Sequence, residues 1–178
     1  MTTRLLGAAL LVFVAGRCLV PMDETDVFFN LRLGEIVLAT HAVPRTNLLS
    51  FTYPDFRDVN LAWIFQIVLA LAHRAGGIPG TVVLKTAFVL TTFALLFRVA
   101  LRRGAHPAAA ALALALAAWA AEPRFVERPH LCTFLGLAYT LLAVERAWAD
   151  AHPDLFRLRY DSPAARVYAV APAAGAPP

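Results

Sequence analysis

The chain has 178 residues, of which 60% are hydrophobic and 16% are charged, and its formal net charge is +4. Soluble domains are about half apolar and about a quarter charged, so this composition is typical of a protein that crosses a membrane several times. The arginines stand mostly singly between apolar runs, as juxtamembrane charges do, and this disfavours a nucleic-acid partner. Cys18 and Cys132 both lie in apolar runs, so no disulfide or metal framework is predicted from them.

Four apolar runs are predicted to cross the lipid bilayer, which takes about 20 residues of α-helix. In chain order they are 5–22, 78–101, 106–121 and 131–148. The basic N-terminal segment 1–4, with Arg4, and the pair Arg102 and Arg103 indicate the cytoplasmic side. A signal peptide cleaved near Gly16 is the alternative for the first run, but the later runs favour an uncleaved span. We therefore expect a multi-pass protein of the cell inner (plasma) membrane with a cytoplasmic N-terminus and a long extracytoplasmic loop, 23–77.

That long loop is predicted to contain two helices. The first, over 26–40, has Thr25 or Asp23 as its N-cap and Asp26 in its first turn, where the helix dipole favours a carboxylate. The second, over 60–73, carries an apolar face and is expected to lie in the membrane interface. The residues of that apolar face are Leu61, Ile64, Phe65, Val68 and Leu69, with Asn60 and Gln66 elsewhere on the helix.

The C-terminal part differs from the predicted membrane domain, 1–148. Residues 149–170 include two stretches of alternating pattern on either side of a turn at Asp161, which predicts a β-hairpin-like tail. Residues 171–178 are rich in Pro and Ala and are expected to be disordered. The predicted fold class is therefore an all-α polytopic membrane protein with about four transmembrane helices, amphipathic helices in the first outer loop, and a short hairpin-like tail.

Three acids, Asp23, Glu24 and Asp26, follow the first predicted span within four residues. Two interpretations are open. In one, the acids are a solvated helix cap beside the head groups. In the other, Glu24 and Asp26 form a catalytic or metal-binding site, because a carboxylate serves as a general base and its oxygens are ligands that Mg²⁺ and Mn²⁺ prefer.

Several short stretches carry a resemblance to a known family. Residues 26–35 match the spacing of a D-x-W-W-H-L-x-x-G-E motif, and three further stretches follow in order: 43–52, Asn60-Leu61-Ala62-Trp63, and 124–130. With acids just beyond the first span and a long outer loop, this order resembles a bacterial subgroup of the C-type integral-membrane glycosyltransferases, which use polyprenyl-phosphate sugar donors. The likeness covers about 5–146.

The resemblance implies inverting transfer of a hexose or pentose on the extracytoplasmic face, from a polyprenyl-phosphate-linked sugar. By the family pattern, Asp26 or Glu24 is the catalytic base or a ligand of a Mg or Mn ion. The donor phosphate would be bound by cationic and polar side chains on the same face, which form charge-assisted hydrogen bonds to its oxygens. These residues are Arg124, Arg128, His130 and Lys85. The same residues also fit other roles, as a head-group anchor, a helix cap or a cation that snorkels to the membrane surface.

The chain also departs from the family pattern. Phe28 and Phe29 replace the paired Trp, and Asn30 replaces the His, so that a group able to titrate is lost. Family members have more spans, whereas here the fourth span leads almost directly to 155–160, which resembles the far C-terminal end of longer relatives. We therefore expect a shortened glycosyltransferase-like protein, incomplete or inactive as it stands. The alternative is a non-catalytic membrane scaffold or assembly protein.

Overall fold

The computed structural model describes residues 2–19, 25–50, 52–53, 56–57, 59–151, 156–161 and 166–170. These residues are mostly helical, as predicted. Their helices are α1 (Thr2–Cys18), α2 (Asp26–Thr40), α3 (Trp63–Arg102), α4 (Pro107–Ala121) and α5 (His130–Ala151), with a short 3-10 helix at Glu122–Arg124. The strands β1 (Phe156–Asp161) and β2 (Arg166–Val170) pair antiparallel. Asp23, Glu24, Asp58 and the tail 171–178 lie outside the described residues.

One described helix, α3, is long and apolar enough to cross a membrane, with 40 residues. The helices α1 and α4 have 17 and 15 residues, fewer than the roughly 20 that a crossing usually takes. In α5, the apolar part among the described side chains is His130–Leu142. The described part of the chain is therefore mostly helical and contains one helix with the length and composition of a span, and the four-span arrangement remains a prediction.

The chain divides into two compact units. Unit 1 consists of Met1–Arg17, Leu90–Ala121 and Phe134–Pro178, and unit 2 consists of Cys18–Val89 and Glu122–Thr133. Unit 1 therefore contains a large part of the residues that are predicted to cross the membrane. Unit 2 joins the two predicted extracytoplasmic loops, which are far apart in the sequence.

In unit 1, α1 packs against the C-terminal half of α3. A Cβ atom added to Gly7 would lie 3.1 Å from Cε1 of Phe97, so the two helices come close at this point. Leu10 and Val14 follow Gly7 at helical spacing and are buried. This spacing places one face of α1 inside the unit.

In unit 2, α2 packs against the N-terminal half of α3. The buried residues of α2 recur at helical spacing, and they form a core with α3 whose members are Val27, Leu31, Phe65, Leu69 and Ala70. Gly34 allows the two main chains to touch, because a Cβ atom there would lie 2.0 Å from the carbonyl oxygen of Gln66. This close approach determines how α2 sits on α3.

The N-terminal half of α3 divides the apolar face predicted for 60–73 between the inside and the surface of unit 2. Phe65 and Leu69 are buried, whereas Leu61, just before the helix, and Ile64 are 87% and 60% exposed. Gln66, which lies elsewhere on the helix, is buried at 2% exposure, and its amide bonds to Asn30 of α2. The location of this helix in the membrane interface stays a prediction.

A kink at Gly77 divides α3 between the predicted helix over 60–73 and the predicted span over 78–101. Gly77 has φ 60° and ψ −148°, a combination that side chains disfavour. Pro79 follows within the helix and lacks an N–H donor. A Cβ atom added to Gly80 would lie 2.2 Å from the Ala72 carbonyl oxygen, so this turn also needs a residue without a side chain.

The first turn of α2 differs from the prediction. Thr25 occupies the N-cap, but its backbone is already helical, with φ −69° and ψ −29°, and its side chain makes no capping hydrogen bond. A side-chain cap usually requires an extended backbone at this residue. The helix ends at His41, whose left-handed backbone lets its N–H donate to the Val37 carbonyl oxygen at 2.9 Å.

Candidate functional site

Asp26 and Arg128 form an ion pair in unit 2. Asp26 is the first residue of α2, and Nη2 of Arg128 lies 2.9 Å from its Oδ2 atom. The side chains are 55% and 40% exposed, respectively, so both can be reached from solvent. The structure therefore brings together one predicted catalytic residue and one predicted phosphate-binding residue.

The segment 122–130, which supplies Arg128, is folded tightly. The N–H of Phe125 donates to the carbonyl oxygen of Glu122 at 2.9 Å, and the N–H of Arg128 donates to that of Val126 at 2.7 Å. The Phe125 ring is buried. These contacts hold Arg128 on a defined turn rather than on an extended connection.

His130 links the two ends of this segment. Its Nε2 atom lies 2.8 Å from the main-chain oxygen of Arg124. Because a carbonyl oxygen can only accept, Nε2 is the nitrogen that carries the hydrogen in this contact. The Arg124 side chain is exposed. Arg124, Arg128 and His130 thus lie on one short folded segment.

Lys85, the fourth predicted phosphate-binding residue, points into the interior. Its Nζ atom lies 3.0 Å from Oε1 of Glu127, and each side chain is only 2% exposed. The apolar groups around the pair come from α3 and α5, and the lining residues are Phe65, Leu69, Thr81, Leu84, Phe88 and Leu131. Lys85 could meet a donor phosphate only if this pair opened.

The Lys85–Glu127 contact is short and buried. Its N···O distance is that of a hydrogen bond, but Oε1 of Glu127 has no hydrogen-bond partner of acceptable angle. The space beside the pair has no room for a water molecule. The attraction between the two charges is therefore what compensates for burying them.

Glu127 is not among the site residues that the sequence predicts. One signal could have pointed to it: a lysine inside an apolar run needs an acid if it is buried. In the predicted topology the outer loop 122–130 contains two acids, Glu122 and Glu127, and the outer loop 23–77 on the same side contains six more. The sequence does not say which of these acids turns inward.

A chain of amide hydrogen bonds lies beneath Asp26. The Nδ2 atom of Asn30 donates to the main-chain oxygen of Asp26 at 2.9 Å, and its Oδ1 accepts from Nε2 of Gln66 at 3.0 Å. The Oε1 atom of Gln66 in turn accepts from Nδ2 of Asn60 at 2.7 Å. Asn30 stands where the family motif has His, and its amide here supplies both a donor and an acceptor.

The described residues do not form a divalent-metal site by themselves. Among them, no three His, Cys, Asp or Glu side chains are grouped so as to hold an ion. Oδ2 of Asp26 faces a guanidinium group. Glu24, the other predicted ligand, lies outside the described part of the chain.

Comparison with models of known protein families, with curated proteins and with solved structures finds no match. The resemblance to C-type glycosyltransferases stands on the motifs themselves. All four of those stretches, 26–35, 43–52, 60–63 and 124–130, belong to unit 2. Polar residues of three of them meet there in the Asp26–Arg128 pair and in the amide chain below it.

Proposed function

We propose that the protein crosses the inner (plasma) membrane four times, with its N-terminus in the cytoplasm, and that unit 2 is an extracytoplasmic site for sugar transfer. The donor would be a sugar linked to polyprenyl phosphate. The observation that carries this proposal is the 2.9 Å contact between Asp26 and Arg128, which unites an acid and a cation from two separate predicted outer loops.

The exposed apolar side chains of unit 1 support the membrane part of the proposal. Large apolar residues on three helices face outward rather than into the unit, as expected for helices surrounded by lipid. They include Leu5, Val12 and Phe13 of α1, Leu112, Leu116 and Trp119 of α4, and Phe134, Leu137 and Tyr139 of α5.

The chemistry of transfer follows from the roles of an acid and a nearby cation. Asp26 would accept the proton of the acceptor hydroxyl as that oxygen bonds to the anomeric carbon. The bond from this carbon to the phosphate oxygen would break on the opposite face, which inverts the configuration. Arg128 and the exposed Arg124 would bind the leaving lipid phosphate through charge-assisted hydrogen bonds.

A Mg or Mn ion held by Asp26 and Glu24 stays a prediction, and the proposed reaction is written with the side chains of Asp26, Arg124 and Arg128. Lys85 does not contact the phosphate in this scheme, because it is buried against Glu127. His130 shapes the segment through its bond to Arg124. Asp26 must separate from Arg128, at least in part, when the substrates bind.

A second candidate is a non-catalytic membrane scaffold or assembly protein. It is favoured by one observation: Asp26 and Glu127 are both already engaged in ion pairs that join the segment 122–130 to α2 and α3. In this view the acids stabilise unit 2 and have no chemical role. The two candidates differ in what the carboxylate of Asp26 must do.

Replacing Asp26 by Asn tests the transferase. Transfer of a labelled sugar from polyprenyl phosphate in isolated membranes should fall at least about 100-fold, the usual contribution of a positioned base. The control is Arg32→Gln on the same helix, which removes an exposed side chain at a position that the family motif leaves variable and breaks its 3.4 Å contact with Glu35. Unchanged transfer in Asp26→Asn, with transfer present in the parent protein, would contradict a catalytic role.

Exchanging the charges distinguishes the two candidates. The double variant Asp26→Arg with Arg128→Asp keeps an ion pair between these positions but removes the base from α2. For a transferase, the folded yield in detergent should return while transfer stays lost. For a scaffold, the exchange should restore every property that either single variant loses.

A further inference from the structure

We infer that Lys85 and Glu127 are positioning residues: their buried pair, called here the register lock, determines that Arg128 faces Asp26. The inference rests on the proposed function only in treating Asp26 and Arg128 as the site. The four side chains concerned, those of Lys85, Glu127, Arg128 and Asp26, meet around one turn of the segment 122–130.

Glu127 and Arg128 are consecutive but have partners on different helices. Glu127 reaches Lys85 in α3, and Arg128 reaches Asp26 at the start of α2. If the segment slipped by one residue, either Val126 or Arg128 would face Lys85 in place of Glu127. An apolar side chain there would leave the lysine charge uncompensated, and an arginine would repel it.

Burial of the register lock makes the preference for Glu127 opposite Lys85 strong. Both side chains are 2% exposed, and there is no space for water beside them. A buried pair of this kind adds little net stability compared with well-packed apolar residues, but removing one partner is strongly destabilising. Its main effect is therefore to exclude other registers, as buried polar groups do in coiled coils.

Further contacts limit how the segment can adjust around the lock. Phe125 is buried on one side, and the N–H of Leu131 donates to the carbonyl oxygen of Arg128 at 3.1 Å on the other. Arg128 therefore lies between two anchored residues, Glu127 and Leu131. The buried contact of Glu127 with Lys85 therefore sets the distance between Arg128 and Asp26.

The test measures proximity without requiring activity. In the full-length chain carrying Cys18→Ala and Cys132→Ala, cysteines are placed by Asp26→Cys and Arg128→Cys and joined in membranes with a short bis-maleimide. These changes remove the Asp26–Arg128 pair itself, so the cross-linked fraction reports the position of the main chain. This fraction is measured once with Lys85 and Glu127 intact and once with Lys85→Met plus Glu127→Leu, an apolar replacement of the lock.

The apolar double variant should fold, but residues 26 and 128 should no longer be held close together. Its cross-linking rate should fall about tenfold, a size that coupling within one contact network commonly reaches. The exchanged variant, Lys85→Glu with Glu127→Lys, should retain most of the cross-linking because it keeps a buried pair. The control Arg32→Gln plus Glu35→Gln removes an exposed pair and should leave the rate unchanged.

An apolar variant that cross-links as fast as the parent would overturn the inference. If that variant does not accumulate, the exchanged variant decides: retained cross-linking supports the lock, and lost cross-linking contradicts it. Failure of the lock is separate from failure of the proposed function. The first would be seen as unchanged cross-linking in the apolar variant, whereas the second would be seen as unchanged sugar transfer in Asp26→Asn.

Discussion

Glu127 and Arg128 are adjacent in the chain, yet one is buried in an ion pair with α3 and the other forms a partly exposed ion pair with α2. The Glu127 side chain is 2% exposed and that of Arg128 is 40% exposed. Water and salt screen charges near the surface far better than charges inside a protein. The two pairs should therefore respond differently to substitution.

Removing one partner of each pair should show this difference. Arg128→Gln should lower the free energy of unfolding by no more than about 1 kcal/mol, the usual range for an exposed pair. Lys85→Met should cost about 3–5 kcal/mol, because it leaves a buried carboxylate without a cation. Thermal unfolding in detergent, followed by circular dichroism, gives the comparison. Equal losses would show that burial does not separate the two pairs.

Gly34 should tolerate no side chain. In Gly34→Ala the new Cβ would meet the Gln66 carbonyl oxygen at 2.0 Å, so α2 must move away from α3. Overpacking of this kind typically costs about 1–3 kcal/mol. Gly136→Ala is the control, since no atom lies within 4 Å of the new Cβ and alanine favours a helix. Equal unfolding temperatures for Gly34→Ala and Gly136→Ala would contradict the close approach of α2 to α3 at Gly34.

The amides of Asn30 and Gln66 should act as a unit. Asn30→Leu leaves Nε2 of the buried Gln66 without its acceptor, at a cost of about 1–3 kcal/mol. The double variant Asn30→Leu with Gln66→Leu should lose less than the sum of the two single variants. A double-mutant cycle on thermal unfolding measures this coupling. Strict additivity would mean that the 3.0 Å hydrogen bond contributes nothing to stability.

The membrane topology can be tested with reporters. Alkaline phosphatase, which folds to an active enzyme only outside the cytoplasm, should be active when inserted between Leu48 and Leu49, both exposed in unit 2. Inserted after Gly104, next to the basic pair Arg102 and Arg103, it should be inactive. A tag on the C-terminus should be protected from outside labelling. A tag that is labelled in intact cells would contradict four spans.

The sequence predicts helical segments better than it predicts contacts. The range of α2, Asp26–Thr40, is the same as that of the helix predicted from its capping residues and its acidic first turn. The inward face of the next helix could not be predicted in the same way. The buried Gln66 bonds to Asn30, and a partner 36 residues away leaves no trace in local periodicity.

The candidate site shows the same limit. Asp26 and Arg128 were both predictable as residue types suited to the chemistry, but their 2.9 Å contact depends on the folding of the segment 122–130. Glu127 looks like an ordinary loop acid in the sequence. Its importance comes from Lys85, whose charge becomes costly only after the surrounding apolar residues close around it.

The kink at Gly77 has a consequence for how α3 can fit a bilayer. A straight helix of 40 residues would be about 60 Å long, twice the roughly 30 Å of hydrocarbon that a span has to cross. In a chain that crosses as proposed, the bend divides this length into a crossing part and a part that can turn along the membrane surface. The location of one glycine, more than the length of the apolar run, would then set the depth at which the helix leaves the lipid.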